Sequence, residues 1–437
     1  MSNTLNDNRD EIIWTEKSKR KVSLVDYAFL CLLLVLAGIS LYVYGHNMDI
    51  YEKCILVFSA GVMAWLGWLW KPLRTLMIAC GLTAGLAIFL YDGNLNNAQT
   101  NFFLKYLLSS QSAILFMCVM FFMATLSYWV GFVSRTALWL GTALTWGAVY
   151  AGFVGLLVRW REGHLISAEM GHIPVSNLYE VFVLFCLITA LFYLYYEKRY
   201  RTQSLGAFVS LVITSAAVFL LWYTVERNAA TITPLNNALQ SWWMKLHVPA
   251  NFIGYGTFAL AAMVGFAYLV KQHGETKSWK PLIPVLVVGA ALVSEPFIFR
   301  AKDNVGFWAV YFGISVLLVA LILSFRHRIA AKLPALEVLD DIMYRAISIG
   351  FAFFTVATIL GAFWAADAWG TYWQWDPKET WAAIVWLNYA AWLHLRLMKG
   401  MRGTVAAYWA LVGLVVTSFA FLGVNIFLSG LHSYGEL

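Results

Sequence analysis

Long apolar runs follow one another along the chain and leave little between them. They lie near 24–44, 52–70, 73–91, 111–132, 136–158, 176–196, 204–224, 250–270, 282–298, 305–325, 342–364, 380–398 and 405–428. Each is long enough to cross a hydrocarbon core of roughly 30 Å. Lipid offers no water to backbone N–H and C=O groups, so a spanning segment must satisfy them internally, as a helix does. With 61% hydrophobic and only 12% charged residues, the chain cannot hide its apolar surface as a soluble domain. The expected fold class is therefore all-α: a polytopic integral membrane helix bundle of about 13 transmembrane helices.

The charges orient this bundle. With the basic tail 1–22 inside, the odd number of spans puts the C-terminus outside. Of the 30 Lys and Arg, 21 then fall on the inner side, the bias that cytoplasmic loops carry. The net charge of +7 is thus explained by topology and calls for no nucleic-acid partner. The polar first twenty-odd residues do not read as a cleavable signal peptide, and the run from Leu24 is a true first span. Cys31, Cys54, Cys80, Cys118 and Cys186 all sit in apolar runs without CxxC spacing, which argues against a disulfide framework, a zinc site or a dithiol redox pair.

One outer segment stands apart. Trp369-Gly370-Thr371-Tyr372-Trp373-Gln374-Trp375-Asp376-Pro377-Lys378-Glu379-Thr380-Trp381 holds four tryptophans and a tyrosine. Amphipathic rings do collect at membrane boundaries. Asp376, Pro377 and Glu379 also read as N-cap, first and third residues of a helix. Neither account explains Trp369, Trp373 and Trp375 together with a glycine in one loop, a pattern that suits a flat apolar platform.

The segment resembles the tryptophan-rich "WWD" signature of haem-handling proteins in cytochrome c biogenesis. The wider match is similar to the CcsA/ResC branch, the haem-presenting half of the system II cytochrome c synthetase. It runs from Tyr344-Arg345 through Gly361-Ala362 and the Trp-rich stretch to His394. The resemblance implies a variable N-terminal part at 23–108 and a haem-handling membrane domain at 109–437. A pair of additional helices at 281–326 interrupts that domain. It implies haem b as the bound group, with apocytochrome c and a companion CcsB/ResB-type membrane protein as partners. It also implies a place in the bacterial inner membrane, with the haem-presenting site on the periplasmic face.

Imidazole is a strong neutral ligand for haem iron. His247, just before a span, and His432, after the last one, are both expected on the outer face. There a solvated histidine is the ordinary alternative. His394 falls within a span, about 25 Å from Pro377 at 1.5 Å per residue. Its alternatives are a hydrogen bond inside the bundle or snorkelling beside Arg396. The resemblance makes His247 and His432 axial ligands of an outer haem, and His394 an intramembrane ligand whose trans partner lies in the companion protein. Trp369, Trp373 and Trp375 would carry the porphyrin, and Asp376 would shape the platform or touch haem. Glu180, following Pro174-Val175-Ser176-Asn177-Leu178-Tyr179, either caps its helix or meets a haem propionate. His164 and His172 share the preceding outer loop. His46, His273 and His327 are ordinary interfacial residues.

The function implied is outward movement of haem and its presentation for thioether attachment to the CxxCH of apocytochrome c. This chain, which lacks CxxCH, is not itself such a cytochrome. The alternative is a haem chaperone or exporter that delivers to a separate ligase. An electron-transfer cytochrome b would need paired histidines at one depth, and His394 is the single mid-span histidine. A solute transporter would show repeats of broken helices, and none is evident. No nucleophile–base pair is present to assign as catalytic.

Overall fold

A computed structural model describes residues 22–235, 239–298, 305–424, 428 and 430, with the side chains of 292–298, 305, 307 and 308 outside that description. The basic tail before Val22, His432 and the C-terminus lie outside the described residues. A helix fills each of the expected runs: α1 (Leu24–Tyr44), α2 (Ile50–Leu69), α3 (Lys71–Tyr91), α4 (Ser110–Val130), α5 (Arg135–Ile166), α6 (Leu178–Tyr200), α7 (Gly206–Arg227), α8 (Met244–Gln272), α9 (Ile283–Ile298), α10 (Val305–Ser324), α11 (Leu336–Trp369), α12 (Pro377–Lys399) and α13 (Thr404–Ser418). Ten helices among the described residues are long and apolar enough to cross a membrane. The described residues contain no strand. The protein is an all-α polytopic membrane bundle.

Two compact units divide at Leu82 and Thr83. In the first, Ser23 and Asp26 form a capping box at the start of α1, and Arg74 reaches the Asp26 carboxylate at 2.6 Å. Phe29 packs into the space left by Gly67, where a Cβ would lie 2.9 Å from its ring.

The second unit is organised by α8. Every residue from Gly256 to Val270 is buried, as expected of a helix apolar on all sides. It packs on α6, α11 and α13. Small residues allow the close approach that membrane helices need. A Cβ on Gly254 would lie 3.1 Å from Phe354, and one on Gly350 would lie 2.7 Å from Phe258. Likewise Gly152 and Gly155 of α5 accept Met117 and Ile114 of α4. Residues 281–326 hold α9 and α10, which pack on each other.

Several helices run past the apolar stretch that announced them. α5 continues from Val158 to Ile166, and α11 continues to Trp369. Trp369 is therefore the last residue of a helix rather than part of a loop. Nothing local stops α11 earlier; Gly370, at φ +78, is the first residue suited to a left-handed cap.

Candidate functional site where α8, α11 and α12 meet

The Trp-rich stretch is a short connection strung between two caps. Gly370 closes α11, and Asp376 opens α12 with the expected capping box. Asp376 is 7% exposed; its side chain accepts from the Lys378 N–H at 3.2 Å. Glu379 binds more than the cap requires: its Oε2 accepts from the Gln374 N–H at 2.7 Å and from the Asp376 N–H at 3.2 Å. These two bonds straddle Trp375, which sits at φ +57. That conformation is unfavourable for a bulky residue and persists where the surroundings over-determine it. Thr380 adds a bond from Oγ1 to the Trp375 carbonyl at 3.2 Å. The outcome is an indole 72% exposed and held outward. Glu379 read in the sequence only as a capping residue; its hold on the loop backbone was not apparent there.

The tryptophans do not form one flat surface. The rings of Trp373 and Trp375 meet at 87° with centroids 5.9 Å apart. A planar ligand lying on one of them meets the other by its edge. The reason is the left-handed Trp375, which swings its side chain out of line with that of Trp373.

A second aromatic group joins this stretch from the turn that precedes α8. Trp242 stacks on Trp243 at 3.9 Å, Trp243 lies parallel to Phe363 at 5.8 Å, and Phe363 meets Tyr372 edge-on at 5.9 Å.

His247 stands in the first turns of α8. Its Nδ1 lies 2.8 Å from the carbonyl of Ala357 on α11. A carbonyl can only accept, so Nδ1 carries the proton and Nε2 carries the lone pair in the neutral ring. The ring stands edge-on to Trp364 at 5.6 Å. Gly361 makes this fit possible, since a Cβ there would lie 2.8 Å from His247 Cε1. Metal-binding histidines are commonly oriented in this way by a backbone carbonyl on the other nitrogen.

Gly430 lies against the cap of α12, where a Cβ would collide with the Asp376 carboxylate. His394 is elsewhere. It is on α12, exposed at the surface of this chain, while neighbouring Arg396 pairs with Asp340 at 2.5 Å and faces the rings of Tyr344 and Trp392. The structure thus brings His247 towards the Trp-rich stretch and leaves His394 several turns along α12.

Glu180 is accounted for within the chain. Its Oε1 meets Arg159 Nε at 2.7 Å, and Oε2 accepts from the N–H and hydroxyl of Ser176, each at 2.9 Å. Arg159 continues to the carbonyl of Ala230 at 2.7 Å. This buried pair ties α5, α6 and the loop after α7 together. Lys378 precedes the apolar part of α12, which begins at Thr380. Burial pushes its amine down to about 8, and the Asp376 carboxylate opposes that shift.

A polytopic bundle with an oriented imidazole beside a tryptophan-lined loop is the class that fold and site define. A family model described as cytochrome C assembly protein matches residues 175–432. A cytochrome c biogenesis protein CcsA of Chlorella vulgaris is 33% identical over 72% of this chain and 93% of its own. Those of Crocosphaera subtropica and Microcystis aeruginosa are 32% and 34% identical, over 72% and 61% of this chain and 95% and 80% of theirs. The chain belongs to the cytochrome c assembly protein family and is of the CcsA type.

Proposed function

We propose that this chain is the haem-binding membrane component of a cytochrome c synthetase, with domain 109–437 handling the haem. The observation that carries the reading is His247. Its Nδ1–H is held by the Ala357 carbonyl, so Nε2 is the atom able to bind iron, and aromatic residues just before α8, on α11 and in the 371–375 loop line that end of the bundle. His432, two residues beyond Gly430, supplies the second axial ligand. Trp369, Trp373 and Trp375 bear the porphyrin, one by its face and another against the edge. Asp376 serves by holding the cap, since its carboxylate is engaged there.

Haem supplies the reactive vinyl groups, to which the two thiols of a CxxCH motif add. The chain orients the haem, excludes the wrong face, and holds two histidines on the iron until the apocytochrome's own histidine replaces one. Positioning of this kind lowers the barrier without a nucleophile of the protein's own. His394, exposed on α12, fits an intramembrane ligand completed by a companion CcsB/ResB-type protein. The setting is the bacterial inner membrane, with the N-terminus inside and the Trp-rich stretch on the periplasmic face. A haem exporter that serves a separate ligase would use the same platform.

The test replaces His247 or His432 by Gly in cells expressing this chain, its companion and a reporter apocytochrome. Each variant is expected to lose covalent cytochrome c, and added imidazole to restore it by filling the vacated position. Normal assembly in both variants without imidazole would overturn the reading. Assembly only when a further ligase is supplied would select the exporter.

A further inference from the structure

Beyond Val158, α5 continues as a polar helix end, and the loop that follows folds back on it. Gly171 lets the loop lie on the His164 ring, since a Cβ there would collide with Nδ1. Trp160 Nε1 donates to the Gly171 carbonyl at 3.3 Å. Partial burial, then the positive charges of Arg161 and His172, hold the pKa of His164 below its ordinary value. Three basic side chains therefore share one place at the outer end of α5.

Two nitrogens of this group, Arg161 Nε and His172 Nε2, are buried and without a hydrogen-bond partner among the described residues. Leaving a buried charged donor unmatched is costly. The carboxylates of the same helices are engaged elsewhere. Glu162 accepts from Tyr91 at 2.6 Å and from the Ser110 N–H at 2.9 Å, and Glu180 is held by Arg159 and Ser176. Glu169 is exposed. His172 Nδ1 lies 3.2 Å from the Ile173 carbonyl, so Nδ1 carries a proton. In the doubly protonated ring Nε2 would donate as well. The unmatched donor of the group, Arg161 Nε, joined by His172 Nε2 in the imidazolium form, calls for acceptor oxygens bearing negative charge.

The loop connects directly to the candidate site. Ile173 and Val175 belong to the same packed cluster as Val248 and Trp364, and Trp364 stands edge-on to His247. We propose that Arg161 and His172, with His164 at the rim, form a subsite for a propionate carboxylate of the porphyrin whose iron His247 binds. This rests on the haem reading above. An Arg fork matches a carboxylate in geometry as well as charge, and such an anchor would fix which edge of the porphyrin faces outward.

The full chain, purified from haem-deficient cells, is titrated with haem and with haem dimethyl ester, which keeps the iron and ring but has no free carboxylate. The unmodified chain should prefer haem by about tenfold or more, the scale of a charge-assisted hydrogen bond. Arg161→Gln and His172→Gln should each narrow that preference while leaving ester affinity unchanged, which also reports that the variant is folded. Equal binding of the two porphyrins by the unmodified chain, or a full preference retained in both variants, would overturn the subsite. If neither porphyrin binds the unmodified chain, the haem reading itself falls, and the subsite with it.

Discussion

Gly361→Ala tests the geometry of the candidate ligand without touching the ligand. The added Cβ would lie 2.8 Å from His247 Cε1 and 3.1 Å from Nδ1. Carbon atoms settle at about 3.5–4.0 Å, so the imidazole must withdraw by roughly 0.7 Å or more. Its bond to the Ala357 carbonyl, now 2.8 Å, would stretch to about 3.5 Å, beyond hydrogen-bond range. Local overpacking costs about 1–3 kcal/mol, and the lost bond about 0.5–1.5 kcal/mol. Alanine is the better helix former by about 0.8–1 kcal/mol, so α11 itself is not weakened. Disturbing the group that orients a metal ligand lowers affinity about 10–100-fold. Haem titration of the purified chain, followed by the Soret band, measures this. Gly313→Ala is the control, because nothing lies within 4 Å of a Cβ there. In a His247→Gly background the clash disappears, so Gly361→Ala should add less than about a twofold change, the non-additivity expected of touching residues. Unchanged haem affinity in Gly361→Ala, or an equal loss in both backgrounds, would refute the account of His247.

Lys378 should react with an amine-directed reagent with a midpoint near pH 8, against about 10.4 for a solvated lysine. The neutral amine is the reactive form, so a lowered pKa brings reactivity to lower pH; Asp376→Asn should move the midpoint lower still, and peptide mass spectrometry reads both. Trp373→Ala and Trp375→Ala should each lower haem occupancy, and by different amounts, because perpendicular rings cannot both stack on one porphyrin; unchanged occupancy in the double variant would return the stretch to a boundary role. Arg159→Met strands Glu180 in a buried site and should cost about 3–5 kcal/mol, seen as earlier unfolding in detergent, with Glu180→Gln in the same chain recovering part of it. A reporter fused after Leu437 should be active only in the form that works outside the cytoplasm; the opposite result would separate His432 from the outer face.

The positions and order of the long helices were legible in the sequence because lipid allows a long apolar run almost no other structure, while ten of them, against thirteen expected spans, are long and apolar enough to cross a membrane among the described residues. The cap of α12 was equally legible, since Asp376, Pro377 and Glu379 act on backbone groups within three residues. Tertiary structure alone decided the rest. These helices are apolar on most sides, so no polar stripe announces which face is buried, and small residues set which helices approach. Hence the His247–Ala357 bond, across 110 residues, and the opening at Gly361 that admits it could not be read from spacing. The same holds for the partner of Glu180, for Trp242 and Trp243 reaching Phe363, and for the outward face of His394. The end of α11 at Trp369 was missed because a helix stops where its backbone is capped, not where its apolar stretch ends. The perpendicular tryptophans follow from one left-handed residue, Trp375, whose conformation is imposed by Glu379 and Thr380 and has no signature of its own.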